Sequence, residues 1–180
     1  MTDSKISSLL VDINNRLEEG KGPDKANLAV FLQEIKEVME NFFEEDVNRD
    51  NKGKLRLSAV GKEDRKLWYD YHGYDKEPLG TDTRIKFCFG NLLEAFVLLL
   101  VKEAGHKVTE CQKEVTVGQV KGHIDCLIDG ELVDVKSASP YGFKKFKDGS
   151  ILKGDDPFGY MYQLSSYGKA LKKKIGYFLS

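Results

Sequence analysis

Asp125 and Asp134 stand on either side of Asp129-Gly130 in the stretch GHIDCLIDGELVDVKS, Gly122 to Ser137. An Asp-Gly pair between two short apolar runs predicts a two-residue type I′ hairpin turn. With that pair as the loop, Ile128 faces Glu131, Leu127 faces Leu132 and Asp125 faces Asp134. The same register sets His123 opposite Lys136, and alternation along the strands places His123, Asp125, Asp134 and Lys136 on one face. Facing carboxylates with β-carbons about 5 Å apart repel, so an apolar hairpin that carries them calls for a cation. Carboxylate oxygens are hard ligands suited to Mg²⁺ or Mn²⁺. Such an ion polarises a phosphate and acidifies a bound water, while a nearby ammonium orients that water or stabilises the charge that builds up. The chemistry these residue types point to is phosphodiester hydrolysis, with Lys136 as the ammonium.

Glu94 is a third acidic candidate. It lies in FGNLLEAFVLLLVKEAG, where Leu92, Leu93, Phe96, Leu99 and Leu100 make a helix from about Thr83 to Ala104 apolar nearly all round, as expected of a helix packed into a domain centre. A carboxylate there is costly to bury unless it is paired or holds a cation; a narrow exposed stripe is the alternative. After Gly105 the pattern shortens to strands, in KVTEC and KEVTV and then in the hairpin itself. Gln163 and Tyr167, four apart, share a face of a following helix, where an amide and a phenol can position a phosphate or a lysine; a half-buried helix edge is the plainer alternative.

The rest of the chain must hold these groups in place. Ile6, Leu9, Leu10, Ile13 and Leu17, then Leu28, Phe31, Leu32, Ile35, Val38, Met39 and Phe42, give two amphipathic helices read as packing surface. Asp46, Asn48 and Asp50 imitate the start of a calcium loop, but Asn51 stands where glycine is required and Leu57 where a bidentate Glu is required, so the segment reads as a polar turn. Ser58 is expected to cap a helix carrying Lys62, Arg65, Lys66, Trp68 and Tyr69, with Trp68 serving either as core or as a base-stacking surface.

With 180 residues, 41% hydrophobic and 32% charged, the chain is expected to be one soluble globular domain, 1–80 mainly helical and 81–180 the catalytic core. A formal net charge of −1 excludes nucleic-acid binding by bulk charge and leaves room for a local basic face. Cys88, Cys111 and Cys126 form no CxxC pair, which speaks against a disulfide framework or zinc site and for a reducing compartment. The N-terminus lacks a signal-peptide pattern and the apolar run from Ala95 to Val101 is too short for a bilayer, so no membrane role is expected.

The order of Glu94 on a helix, Gly122-His123-Ile124-Asp125 on a strand, Asp134-Val135-Lys136 on the next, then Gln163-Leu164-Ser165-Ser166-Tyr167 on a helix resembles the RecB-like branch of the PD-(D/E)XK nuclease superfamily. The resemblance spans roughly Thr83 to Ser180. It implies an α/β (α+β) restriction-endonuclease-like core, a central mixed sheet of about four or five strands flanked by helices, with an N-terminal helical extension. By it Glu94, Asp125, Asp134 and the main-chain carbonyl of Val135 would be metal ligands, Lys136 the catalytic lysine, and Gln163 and Tyr167 residues lining the site. It reaches weakly into Ser58, Gly61, Arg65, Leu67, Trp68 and Tyr69, which look like a DNA-engaging segment.

The implied activity is Mg²⁺- or Mn²⁺-dependent DNA cleavage, of exonuclease type or structure-selective, in recombination, repair or phage DNA metabolism, in the cytoplasm of a bacterium or phage-infected host. Relatives with an iron-sulfur cluster need four cysteine ligands and this chain has three, and no GxxxxGK[ST] occurs, so neither a cluster nor ATP is expected and any helicase or recombination partner would be a separate protein. His123, Lys144 and Lys145 are further candidates for DNA contact, the lysines within the aromatic and basic YGFKKFKDGSILKGDD. The rivals are a protein of the same fold that binds DNA or a partner without cutting, and a helical interaction protein whose acids form a structural cation site. Finally, KKKIGYFLS alternates like a strand, expected to pair inside the sheet, with the natural product extending past Ser180 to cover its edge.

Overall fold

The computed structural model describes residues 5–44, 53–74, 78–173 and 176–179. The calcium-like turn at Asp46, Asn48, Asp50 and Asn51 lies outside these residues, as do Ile175 and Ser180. The class is α+β, with both antiparallel and parallel strand pairing. Contacts gather the described residues into two compact units, one of 5–44, 78–109 and 127–130, the other of 53–74, 110–126, 131–173 and 176–179. Among the described residues no helix is long and apolar enough to cross a membrane.

In the first unit, helices α1 (Leu9–Glu18), α2 (Lys25–Phe43) and α4 (Thr81–Glu103) pack together. Asp24 caps α2, its carboxylate accepting from the Ala26 and Asn27 amides at 2.8 and 3.1 Å, which satisfies two of the N–H groups that a helix start leaves unpaired. On α2 the inward stripe is narrower than the sequence suggests: Leu28, Phe31, Ile35, Val38 and Phe42 are half-buried, while Leu32 and Met39 are exposed. The α4 expectation also changes. Its buried residues Ala95, Leu98, Leu99 and Val101 form one face, and Phe87, Phe89, Leu93 and Phe96 reach solvent. An apolar run shows how much surface a helix could bury, but the number of neighbours decides how much it does bury.

Strand β1 (Val108–Thr109) pairs antiparallel with β4 (Cys126–Ile128), Val108 with Ile128 and Thr109 with Leu127. Asp129 and Gly130 then turn the chain with φ of +51° and +85°, the signs a type I′ turn requires. The Asp129 side chain is fixed there: Oδ1 accepts from the Lys107 amide at 3.0 Å and Oδ2 lies 2.6 Å from Nδ1 of the buried His106, whose Nε2 is 3.2 Å from Asp12 Oδ2.

The second unit holds helix α3 (Asp64–His72), the antiparallel pair β2 (Glu114–Val117) and β3 (Val120–His123), β5 (Glu131–Val135), α5 (Pro140–Lys147), α6 (Tyr160–Leu171) and β6 (Gly176–Leu179). The strands are short, and the expected continuous strand through His123 and Asp125 is broken. Ile124 N–H donates to the Lys113 carbonyl at 3.1 Å and the Asp125 carbonyl accepts from Gln112 N–H at 3.0 Å, so these two residues bond to the segment ahead of β2 and separate β3 from β4. His123 is therefore the register partner of Glu114 and not of Lys136.

Ser58 is likewise not a cap of α3. It sits inside a one-turn 3₁₀ helix, Leu57–Ala59, and α3 starts later, at Asp64. The C-terminal strand pairs, but among the described residues as the outermost strand and not inside the sheet: β6 runs parallel to β5, Asp134 beside Phe178, and Lys136 N–H donates to the Leu179 carbonyl at 2.9 Å.

Candidate functional site

Asp134 is carried on β5 where the strand passes through the core, and it is only 1% exposed. An ionised carboxylate there needs compensation, and hydrogen bonding does not supply it: neither oxygen accepts a well-formed hydrogen bond. The Lys136 ammonium lies 2.8 Å from Oδ2, near enough for an ion pair but poorly aligned for donation. The same ammonium is 3.9 Å from Asp125 Oδ2. Asp125 in turn reaches the β5 backbone, its Oδ2 accepting from the Val135 N–H at 2.8 Å. The cation demanded by the two acids is thus, in this arrangement, Lys136 itself.

Burial, reinforced by the Asp125 charge and opposed by Lys136, pushes the Asp134 carboxyl up from 3.8 to about 7. Burial works against the Lys136 charge, but the Asp134 and Asp125 carboxylates outweigh it and hold its pKa above the ordinary lysine value.

Helix α6 supplies the neighbouring wall. Gln163 Nε2 donates to the Tyr167 hydroxyl at 3.2 Å, and Tyr167 is buried, which raises its phenol pKa, the Gln163 bond opposing and the Asp134 and Asp125 charges adding. Gly122 explains how so large a ring fits. A β-carbon at 122 would stand 2.7 Å from Leu57 Cβ and 3.0 Å from Tyr167 Cε1, so the strand approaches the helix only without a side chain.

Outside this cluster opens a cleft of about 490 Å³ whose lining includes Lys54, Arg56, Ser58, Lys121, His123 and Asp125, together with Gln163 and Tyr167. Asp125, which lines the cleft, also reaches the Val135 N–H and stands 3.9 Å from the Lys136 ammonium. Lys121 is engaged by Glu114 at 2.7 Å. The arrangement offers anionic ligands at depth and basic groups toward solvent.

No protein-family model, curated protein or solved structure matches this chain.

Among the sequence-derived candidates, Asp125, Asp134, Val135, Lys136, Gln163 and Tyr167 come together in the second unit, and Ser58 and His123 line its cleft. Glu94 lies half-buried on α4 in the first unit. Among the described residues no three His, Cys, Asp or Glu side chains form a metal-binding group. Trp68 is not core: it is half-exposed on α3 and touches Tyr69, His72 and Tyr74, while Arg65 lies over the Tyr69 ring. Lys145 is held by Asp155 at 2.5 Å, and Lys144 is exposed.

Three contributors escaped the sequence reading. Lys54 and Arg56 come from the segment before the 3₁₀ turn and had no pattern to mark them. Tyr160 had one. It precedes Gln163 by three and Tyr167 by seven, the helical spacing of one face, and its ring lies 5.7 Å from the Lys136 ammonium.

Proposed function

We propose that this protein is a divalent-metal-dependent nuclease that hydrolyses phosphodiester bonds in DNA. The observation that carries this reading is the Asp134 carboxylate, buried beside Asp125 and Lys136 with no well-formed hydrogen bond among the described residues. The donor set fits a Mg²⁺-like cation, which binds through one or two carboxylates, keeps waters and completes its shell with substrate phosphate. Asp125 and Asp134 would hold it, with the Val135 carbonyl joining through the resemblance; the role of Glu94 rests on that resemblance alone. When bound, such an ion neutralises phosphate charge and acidifies a water. Lys136 stabilises charge developing on the phosphate. Gln163 and Tyr167 orient the phosphate, while Lys54 and Arg56 draw the backbone into the cleft. Because Asp134 holds a proton up to about pH 7, it must release that proton to ligate, so metal affinity falls as pH drops below 7.

One observation favours a second reading, a cleft that binds DNA without cutting: among the described residues no three His, Cys, Asp or Glu side chains are grouped to hold a metal. One experiment separates them. End-labelled linear and covalently closed DNA, single- and double-stranded, is incubated with Mn²⁺ or with EDTA. Metal-dependent cleavage, abolished in Asp134→Ala and Lys136→Ala, is expected. Calorimetry should show Mn²⁺ affinity lost in Asp134→Ala and largely kept in Lys136→Ala. Binding without cleavage under every metal would replace the nuclease reading by the second.

A further inference from the structure

Resting on the nuclease reading and extending it, we propose that Tyr160 is a positioning residue whose ring face holds the Lys136 ammonium over the Asp134 and Asp125 carboxylates. Lysine ends in a compact charge on a flexible four-carbon stem, so its location depends on what surrounds the ammonium. Here three groups do: Asp134 at 2.8 Å, Asp125 at 3.9 Å and the Tyr160 ring centroid at 5.7 Å, inside the range of about 6 Å over which a ring face attracts a cation. The two carboxylates alone would let the ammonium swing along their edge. The ring adds a third attraction, with the ammonium over its face.

The ring can do this only if it is itself fixed, and three separate features fix it. Tyr160 stacks on Phe158 at 5.4 Å and 28° and on Phe146 at 6.0 Å and 22°, with Phe178 at 6.3 Å. Phe178 is the β6 residue in register with Asp134, so the strand that flanks the acid also supports the ring. The start of α6 is pinned, with Asp156 Oδ1 accepting from the Tyr160 amide at 3.0 Å and Oδ2 from the Met161 amide at 2.8 Å. Just ahead, Gly159 has φ +73° and packs so closely that a β-carbon would lie 2.8 Å from the Val60 carbonyl oxygen.

The attraction comes from the ring quadrupole and not from the hydroxyl, so phenylalanine should replace Tyr160 and a non-aromatic side chain such as methionine should not. The test uses full-length wild type, Tyr160→Phe and Tyr160→Met. In wild type and Tyr160→Phe the Lys136 ε-methylene proton resonance is expected upfield of the other lysines because of the ring current; in Tyr160→Met it should return to the ordinary lysine position. On DNA with Mn²⁺, Tyr160→Met should lose about tenfold in kcat with KM within about twofold, and Tyr160→Phe should retain wild-type kcat. An ordinary Lys136 resonance in wild type overturns the proposal, as does a Tyr160→Phe defect equal to that of Tyr160→Met. If wild type does not cut DNA, the nuclease reading falls while the resonance still decides whether the ring holds the ammonium.

Discussion

Glu103 at the end of α4 and Asp134 on β5 are both carboxylates with side chains under a tenth exposed, 8% and 2%, yet the protein treats them in opposite ways. Glu103 accepts from Arg16 Nη2 at 2.7 Å, Asn27 Nδ2 at 2.8 Å and the Asp24 amide at 3.0 Å, tying α1, α2 and α4 together. Asp134 accepts no well-formed hydrogen bond and keeps only a misaligned lysine. A buried charge that is fully paired serves the fold, whereas one left short of donors costs stability and is retained where chemistry needs it.

The comparison breaks most visibly on the Glu103 side. Glu103→Ala removes one acceptor from Arg16, which keeps the Lys21 and Gly22 carbonyls, and the acceptor of Asn27 and of the Asp24 N–H, and should cost about 2 kcal/mol. Urea unfolding of the purified protein measures it. A loss below about 1 kcal/mol would mean the three donors find water at no cost and that Glu103 is not the structural counterpart of Asp134.

Asp134→Asn should act with the opposite sign. The carboxyl binds a proton more tightly in the folded state, where its pKa is about 7, than in the unfolded chain, where it is near 4. Between those values the folded state holds more protons, so this group's contribution to stability declines as pH rises from about 4 through about 7 and is flat beyond. Removing the charge should therefore stabilise the metal-free protein at pH 8 by about 2 kcal/mol and do little at pH 5. Melting temperatures at both pH values, in EDTA, provide the check. A destabilised variant at pH 8 would show that the Lys136 ion pair repays the burial.

Much of this site was legible in residue order. Asp129-Gly130 announced the turn because its dihedral needs are local, and Asp134-Val135-Lys136 followed from it. Gln163 and Tyr167 met as their spacing required. The His123 register was not legible, because it assumed that one apolar run means one strand, while the backbone bonds of Lys113 and Gln112 that divide the run come from residues before β2. Ser58 misled for a related reason: a capping residue was present, but the chain made a 3₁₀ turn first. The contacts of Lys54, Arg56 and Tyr160 with this site are tertiary, and only the last left a trace in helical spacing.

The smallest expected effect belongs to Asp125, and it tests whether that acid is structural, functional or both. The hairpin register alone treats Asp125 as half of a repulsive pair, so losing its charge should help. The structure adds a second duty, since Oδ2 accepts from the Val135 N–H at 2.8 Å on a strand that is otherwise buried. Asparagine keeps an oxygen for that bond and removes the repulsion, so Asp125→Asn should change metal-free stability at pH 8 by less than about 0.5 kcal/mol. Alanine keeps neither, and Asp125→Ala should lose about 1–2 kcal/mol through the unpaired Val135 amide. Without the Asp125 charge the Asp134 carboxyl should also titrate lower, because that charge is the second cause, after burial, of its raised pKa. Parallel melts of the two variants decide the matter: equal losses would place the energy in the charge of Asp125, and a gap between them in the hydrogen bond to β5.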